Sequence, residues 1–211
     1  MQWDNFEKVF SKARTNKYLL NCNQDKDRAK SAYIYNLQLS EAFLIPLSIL
    51  EISLRNSISK QLANKYNRQD WYEGILADKK LNFLHFEIDK AKKKLKTSNK
   101  IPDKVIAEFN FGFWTYLMNH RCQQELWQDI SRAFPYASVG RNKIESKINT
   151  IREFRNRVFH YEPIIWMPKK TSDYFKTIED IIYSIDPETS QWMSKISNVC
   201  TIIQNSNFGT K

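Results

Sequence analysis

The chain has 211 residues with a formal net charge of +10, 42% hydrophobic residues, 14% aromatic residues and four glycines. This length and composition predict one compact soluble domain, or two small ones, with enough apolar content to fill a core. They exclude intrinsically disordered and fibrous proteins. The glycines are too scattered for a dinucleotide-binding or phosphate-binding loop, because such loops need several glycines close together.

The cysteines Cys22, Cys122 and Cys200 are odd in number and form no C-x-x-C pair. We therefore expect no disulfide framework and no clustered zinc site. No metal site and no cofactor are expected in this chain. The first residues include acidic side chains where a signal peptide is basic, so a cytoplasmic location is expected. The longest uncharged apolar stretch, 42–50, contains Pro46 and is too short to span a bilayer, so we expect no membrane partner.

The positive charge attracts polyanions, of which nucleic acids are the most common biological example. Many soluble proteins are basic without binding any nucleic acid. The charge therefore favours a nucleic-acid partner without deciding the question.

Apolar residues recur three and four positions apart along most of the chain, which predicts an all-α fold. A first helix, with Asp4 as its expected cap, carries Phe6 and Phe10. The most apolar segment begins near Ser40, and Pro46 is expected to kink this helix or to mark its start. One face of this predicted central helix carries Leu47, Leu50, Leu54, Ile58 and Leu62.

A lysine-rich helix is predicted over 79–96, with an apolar stripe on one side. Its other side carries Lys80, Lys90, Lys92, Lys93, Lys94 and Lys96. These lysines are interpreted either as a solvated helix face or as an RNA-binding surface that contacts phosphates.

A linker over 97–102 precedes a helix that starts at Pro102. The aromatic run 111–117 is predicted to belong to the core rather than to a base-stacking platform. A further helix is expected over 123–134, closed by the proline that follows it.

The segment 142–163 combines an apolar helical stripe with a cluster of polar side chains. Pro163 disfavours helical geometry at the preceding residue, so the helix should end near 159–161, with His160 in its last turn or just past it. Asn156 and His160 then share a face, and Arg155 lies close to the apolar stripe. An always-charged guanidinium beside a core face favours a specific role.

Two interpretations of these residues stay open on the sequence alone. Arg155, Arg157 and His160 can simply complement the negative end of the helix dipole, at about 0.3 to 1 kcal/mol each. Alternatively, they form a functional site. His85 and His120 lack ligand spacing and are interpreted as ordinary surface or core histidines.

The residues 155–160, Arg-Asn-Arg-Val-Phe-His, resemble the R-x4-6-H motif of the HEPN superfamily of helical RNA-binding and RNA-cleaving domains. Three ordered blocks, 39–56, 111–114 and 154–164, resemble the Abi-like (AbiD/AbiF) abortive-infection proteins of bacteria. The resemblance covers roughly residues 30–190. It divides the chain into an N-terminal helical segment, 1–30, an Abi-like HEPN domain, 31–203, and a flexible tail, 204–211.

The resemblance implies a HEPN-like helical bundle with additional helices, which forms a homodimer so that two motifs face each other. It also implies metal-independent endoribonuclease activity in many members. His160 would then be the general base or acid, Arg155 would stabilise the scissile phosphate, and Asn156 would orient His160 or bind the phosphate. A mechanism with two proton transfers would need the partner's His160.

Three further charged residues are expected to support this catalytic site: Glu51, Arg55 and Arg157. Glu51 and Arg55 have the spacing of an ordinary intrahelical ion pair. Because buried charges need partners, Glu51 is alternatively expected to pair with Arg155 and hold it in place.

The leading hypothesis is an RNA-directed endoribonuclease whose activity limits phage propagation by arresting the infected cell. The main alternative is a non-catalytic RNA-binding module that holds a structured regulatory RNA. A protein-binding or toxin-neutralising helical partner is the third possibility, and it predicts no RNA affinity at physiological salt.

Overall fold

The computed structural model of the chain describes residues 1–96, 101–205 and 208. This part contains twelve α-helices and no strand, so the predicted all-α fold is confirmed. The helices are α1 (Trp3–Phe10), α2 (Lys12–Asn21), α3 (Lys26–Tyr66), α4 (Trp71–Ala77), α5 (His85–Lys94), α6 (Pro102–Ala107), α7 (Phe111–Tyr116), α8 (Gln123–Ile130), α9 (Arg141–Phe159), α10 (Thr171–Ile185), α11 (Pro187–Ile196) and α12 (Val199–Gln204). Short 3-10 turns cover Lys79–Leu84, His120–Cys122, Ser131–Ala133 and Ile164–Trp166.

The 41-residue helix α3 is the centre of the fold. It starts at Lys26, where the carboxylate of Asp25 accepts hydrogen bonds from two backbone N–H groups of the first turn. Pro46 is buried inside the helix and does not mark its start. The cost of one missing backbone hydrogen bond is tolerated because α3 packs along its whole length against other helices. The helix ends where Asn67 adopts a left-handed conformation.

The core is built around the apolar face of α3. The predicted stripe is confirmed, because each of its residues is at most 3% exposed: Leu47, Leu50, Leu54, Ile58 and Leu62. The ring of Phe154, on α9, lies 4.7 Å from the ring of Phe43 and stacks on Tyr174 of α10 at 4.2 Å. Aromatic contacts thus hold α9 between α3 and α10.

Three predicted boundaries are wrong. Asp4 lies in the first turn of α1, whose N-cap is Gln2. The lysine-rich helix does not run over 79–96: a 3-10 turn occupies Lys79–Leu84, and α5 starts only at His85. The turn places Leu81 and Leu84, three residues apart, together in the core. Similarly, α8 ends at Ile130 and continues as a 3-10 turn.

The aromatic run after Asn110 belongs to the core, as predicted. Phe111, Phe113 and Trp114 are each at most 3% exposed, and Asn110 caps α7 through the backbone N–H of Phe113. The predicted linker lies mostly outside the described residues, and so does most of the predicted flexible tail.

In the part of the chain that the structure describes, α3 alone has the length and hydropathy of a membrane span. Its most apolar 18-residue window has a mean hydropathy of 1.5, and 44% of that window is buried within the protein. Core helices of soluble proteins meet the same criterion.

Candidate functional site

The polar motif sits at the carboxyl end of α9. The helix ends at Phe159, as the sequence predicts, and His160 follows as its C-cap. The N–H of Tyr161 donates to the carbonyl of Val158 at 3.0 Å, and the N–H of Glu162 donates to the carbonyl of Arg157 at 2.9 Å. This pair of bonds is a Schellman motif, in which Tyr161 takes the left-handed position with φ of 52°.

Two residues from the N-terminal part of the chain hold the turn that follows His160. Arg14, on α2, donates from Nη1 to the carbonyl of Tyr161 at 3.0 Å. Asn36, on α3, is fully buried; it donates to the carbonyl of Glu162 at 3.0 Å and accepts from the N–H of Ile164 at 2.8 Å. The carboxyl end of α9 is therefore fixed by hydrogen bonds from two other helices.

Neither Arg14 nor Asn36 was singled out from the sequence. Asn36 did carry a signal, because an asparagine among the apolar residues of a predicted core helix needs hydrogen-bond partners. Arg14 carried none, since it lies in a polar stretch of the sequence with no apolar pattern that marks it for burial.

Arg155 lies half-buried between α9 and α3. Its Nη2 is 3.4 Å from Oε2 of Glu51, and its guanidinium carbon lies 4.2 Å from the ring centre of Phe159. Its Nε is buried and has no hydrogen-bond partner among the residues described. The structure therefore brings Glu51 to Arg155, and the guanidinium retains donors that are not used within the protein.

His160 and Asn156 are both exposed, but no hydrogen bond joins their side chains in the described structure. Only the backbone joins them, through the N–H of His160 and the carbonyl of Asn156 at 3.0 Å. Arg155 and His160 are five residues apart, which separates them by about 140° around the helix axis. Helical spacing thus places the two residues on different sides of α9, and no hydrogen bond joins their side chains in the described structure.

The other predicted supporting residues have their own partners. Arg157 forms an ion pair with Glu162 at 2.8 Å, and both side chains are partly exposed. Arg55 donates from Nε to Oδ1 of Asn56 at 3.3 Å. Arg55 therefore does not pair with Glu51, and neither Arg55 nor Arg157 contacts Arg155 in the described structure.

The predicted RNA-binding lysines fall into two groups. Three of the six form ion pairs: Lys80 with Glu125, Lys92 with Glu73, and Lys94 with Glu108. The other three are exposed and have no ion pair among the described residues: Lys90, Lys93 and Lys96. Their charges are available to an external ligand.

Exposed apolar side chains occur on both helices that carry the Arg155–Glu51 pair. Ile45 and Ile52, two helical turns apart on α3, are 41% and 48% exposed, and Phe159 is 44% exposed. An apolar surface next to a polar motif is a common feature of protein interfaces.

No group of three or more metal-ligating side chains occurs within the described ranges. Cys22 and Cys122 are buried and unpaired, and burial raises the pKa of the Cys122 thiol to about 12. This thiol is suited to core packing rather than to nucleophilic chemistry.

The chain matches no protein-family model, no curated protein and no solved structure. The resemblance of its motif therefore rests on the residues themselves.

Proposed function

We propose that this protein is an RNA-directed HEPN protein of the Abi-like type and acts as a metal-independent endoribonuclease. The observation that carries the proposal is the end of α9, where Arg155 is anchored by Glu51 and an exposed His160 follows the last helical residue. An anchored guanidinium and an accessible imidazole are the two groups that RNA cleavage without a metal requires.

The proposed reaction is an internal transfer at phosphorus. A base removes the proton from a ribose 2′-OH, and the 2′-oxygen attacks the adjacent phosphorus. The bond from phosphorus to the 5′-oxygen breaks, and an acid protonates that leaving oxygen. The products are a 2′,3′-cyclic phosphate and a 5′-OH, and the imidazole of His160 can serve in either proton transfer because its ring nitrogens can accept or donate a proton.

Arg155 would stabilise the negative charge that develops on the phosphate. Its planar guanidinium can hold two phosphate oxygens. The ion pair with Glu51 and the contact with the Phe159 ring restrict its orientation before RNA binds. Such preorganisation is a major source of electrostatic catalysis.

Dimerisation is part of the proposal. Two proton transfers need two groups, and each chain supplies one histidine in the motif. A second copy would cover exposed apolar residues of α3 and α9, as in an isologous two-fold interface: Ile45, Ile52 and Phe159. The angular separation of Arg155 from His160 within one chain also favours a site completed by the partner's His160.

The biological setting follows from the resemblance to Abi-like proteins. In that setting the enzyme would cleave RNA in an infected cell and thereby limit phage propagation. A regulatory non-coding RNA is a further proposed partner, and the proposed location is the cytoplasm.

The second candidate function is a non-catalytic RNA-binding module. It is favoured by one observation: no side chain in the described structure hydrogen-bonds to the His160 imidazole and orients it for proton transfer. In that case Arg155 and His160 would hold RNA without cleaving it.

The test is incubation of the purified protein with a mixed RNA pool in EDTA, followed by mapping of the cleavage ends. Wild-type protein should produce 2′,3′-cyclic phosphate ends, and His160→Ala should not. His120→Ala is the matched control, since His120 is also an exposed histidine in a short turn. Its activity should equal that of the wild type.

Two results would contradict the proposed endoribonuclease activity. Equal cleavage by His160→Ala would assign the activity to another residue or to a contaminant. If the wild type forms a salt-sensitive RNA complex but does not cleave, the binding module becomes the better description.

A further inference from the structure

A second candidate site is an open cleft of about 360 Å³ between the start of α5, the helix α7 and the middle of α9. Aromatic rings form much of its wall: Phe83, Phe86 and Tyr116. Phe86 is 73% exposed, the highest exposure of any large hydrophobic residue that the structure describes. The cleft lies outside the motif at the end of α9.

Two of the three rings, those of Phe83 and Tyr116, are held in a fixed arrangement. The rings of Phe83 and Tyr116 meet edge to face, with their centres 5.9 Å apart. The guanidinium of Arg121 lies 4.2 Å from the ring centre of Phe83 and donates to the Tyr116 hydroxyl at 3.1 Å. A fixed aromatic surface costs little conformational entropy when a planar ligand stacks on it.

The cleft also has cationic groups at two sides. Arg152 lines it and has no ion pair within the described ranges. Lys90, one turn after Phe86 on α5, is likewise unpaired there and borders the adjoining depression. Glu87 and Asn110 add hydrogen-bonding groups to the wall.

The cleft and the motif lie along the same helix. Arg152 and Arg155 are three residues apart on α9, so their side chains are neighbours on its surface. Arg152 is about 12 Å from His160 along the helix axis. Along the axis of α9, the order from the cleft to the end of the helix is Arg152, Arg155, His160.

We infer that this cleft holds an unpaired base of single-stranded RNA, with Arg152 and Lys90 contacting the flanking phosphates. Aromatic faces next to cations are the combination that single strands use, because their bases are free to stack outside a duplex. Glu87 accepts a hydrogen bond from the base. The inference rests on the proposed function, which identifies the ligand as RNA. It places the bound base near Arg152, about two helical turns before His160 along α9.

The first test measures the affinity of a short fluorescein-labelled single-stranded RNA by anisotropy, in full-length protein carrying His160→Ala so that no cleavage occurs. Phe86→Ala should weaken binding by about fivefold or more. Tyr183→Ala is the matched control, since Tyr183 is a half-exposed aromatic residue on α10. Arg152→Gln should weaken binding more than Lys176→Gln, which removes one charge from an exposed position of α10.

The second test locates the base directly. RNA containing 5-iodouridine is crosslinked to the protein by ultraviolet light, and the protein is then digested with trypsin. Cleavage after Lys80 and Lys90 releases the peptide 81–90, which contains both Phe83 and Phe86. This peptide should carry the main crosslink, and the crosslink should be lost in Phe86→Ala.

The outcomes separate this inference from the proposed function. If His160-dependent cleavage occurs but the Phe86 and Arg152 variants bind RNA as tightly as their controls, the cleft assignment is wrong and the nuclease stands. If no cleavage occurs but these variants lose affinity and the crosslink maps to 81–90, the cleft assignment stands and the nuclease does not. Absence of single-stranded RNA binding by both the wild-type protein and the His160→Ala parent overturns the cleft assignment.

Discussion

Nη2 of Arg155 lies 3.4 Å from Oε2 of Glu51, although the two residues are separated by 104 positions in the chain. The contact joins α9 to the central helix α3 at the point where the candidate motif begins. Both side chains are a little more than a quarter exposed, so water screens their attraction. The contact therefore orients the guanidinium more than it stabilises the fold.

Because water screens their attraction, we expect a small coupling energy between Glu51 and Arg155. Glu51→Gln, Arg155→Gln and the double variant should give a coupling below about 1 kcal/mol in urea unfolding. At the same time, Glu51→Gln should lower the rate of RNA cleavage, because the guanidinium loses its anchor. A coupling well above this value would show that the pair is a main support of the fold instead.

Asn36 should matter far more for stability. Its replacement by alanine removes hydrogen bonds to the Glu162 carbonyl and the Ile164 N–H, and it leaves these backbone groups without a partner. The expected loss is about 2 to 4 kcal/mol in the free energy of unfolding, measured with urea. Gln38→Ala, at an exposed position of the same helix, should change the value by less than about 0.5 kcal/mol. Equal effects of the two variants would show that the hydrogen bonds of Asn36 do not stabilise the fold.

Tyr161 occupies a backbone position that glycine usually takes. Its φ of 52° is left-handed, which is unfavourable for a residue other than glycine. Its side chain is 55% exposed, so few packing contacts offset this cost. Tyr161→Gly should therefore stabilise the protein by about 0.5 to 1 kcal/mol after the greater chain entropy of glycine is included. Tyr161→Val should destabilise it, because a β-branched residue resists this conformation. Thermal unfolding of both variants gives the sign of each effect.

The buried hydroxyl of Tyr66 predicts how stability changes at alkaline pH. Burial, with a smaller effect of nearby carboxylates, raises the pKa of Tyr66 from 10.0 to about 12. The unfolded chain therefore loses this proton first. The contribution of Tyr66 to stability is complete below pH 10, and it is lost as the pH rises from 10 through 12.

Tyr66→Phe tests this pH dependence. The hydroxyl has no hydrogen-bond partner in the described structure, so the variant should differ from the wild type by less than about 1 kcal/mol at pH 7. Its stability should fall less steeply between pH 10 and 12. Tyr183→Phe, at an exposed position, should retain the wild-type slope. If stability falls equally steeply with pH in Tyr66→Phe and in the wild type, the alkaline pH dependence does not come from Tyr66.

The sequence predicts the features that depend on local pattern. The leucine stripe of α3 follows from helical spacing, and the end of α9 follows from the backbone restriction before Pro163. The start of α5 was not predicted, because a 3-10 turn and the first turn of an α-helix share almost the same apolar spacing.

Long-range contacts at the candidate site depend on tertiary packing. The hydrogen bonds from Arg14 and Asn36 to the turn after α9 span 147 and 126 positions. No spacing rule connects residues so far apart. The wall of the cleft likewise comes from helices that are separated in sequence, which is why Arg152 was not recognised as a candidate beforehand.

The lysines of α5 give a final prediction about RNA binding. Lys93 is exposed and unpaired in the described structure, whereas Lys92 is half-buried and its Nζ is held by Glu73. If RNA phosphates contact this helix, Lys93→Gln should reduce the slope of log affinity against log salt by about 0.7, the value for one phosphate contact in a single strand. Lys92→Gln should leave the slope nearly unchanged, because its charge is already neutralised by Glu73.

The comparison of these two variants separates a local contact from a general effect of net charge. Each substitution removes one positive charge, so a purely long-range attraction would change both affinities to the same extent. Anisotropy titrations at several salt concentrations, in protein carrying His160→Ala, measure both slopes. Equal slopes for Lys92→Gln and Lys93→Gln would show that Lys93 does not contact an RNA phosphate, because only direct contact distinguishes a free ammonium group from one already paired within the fold.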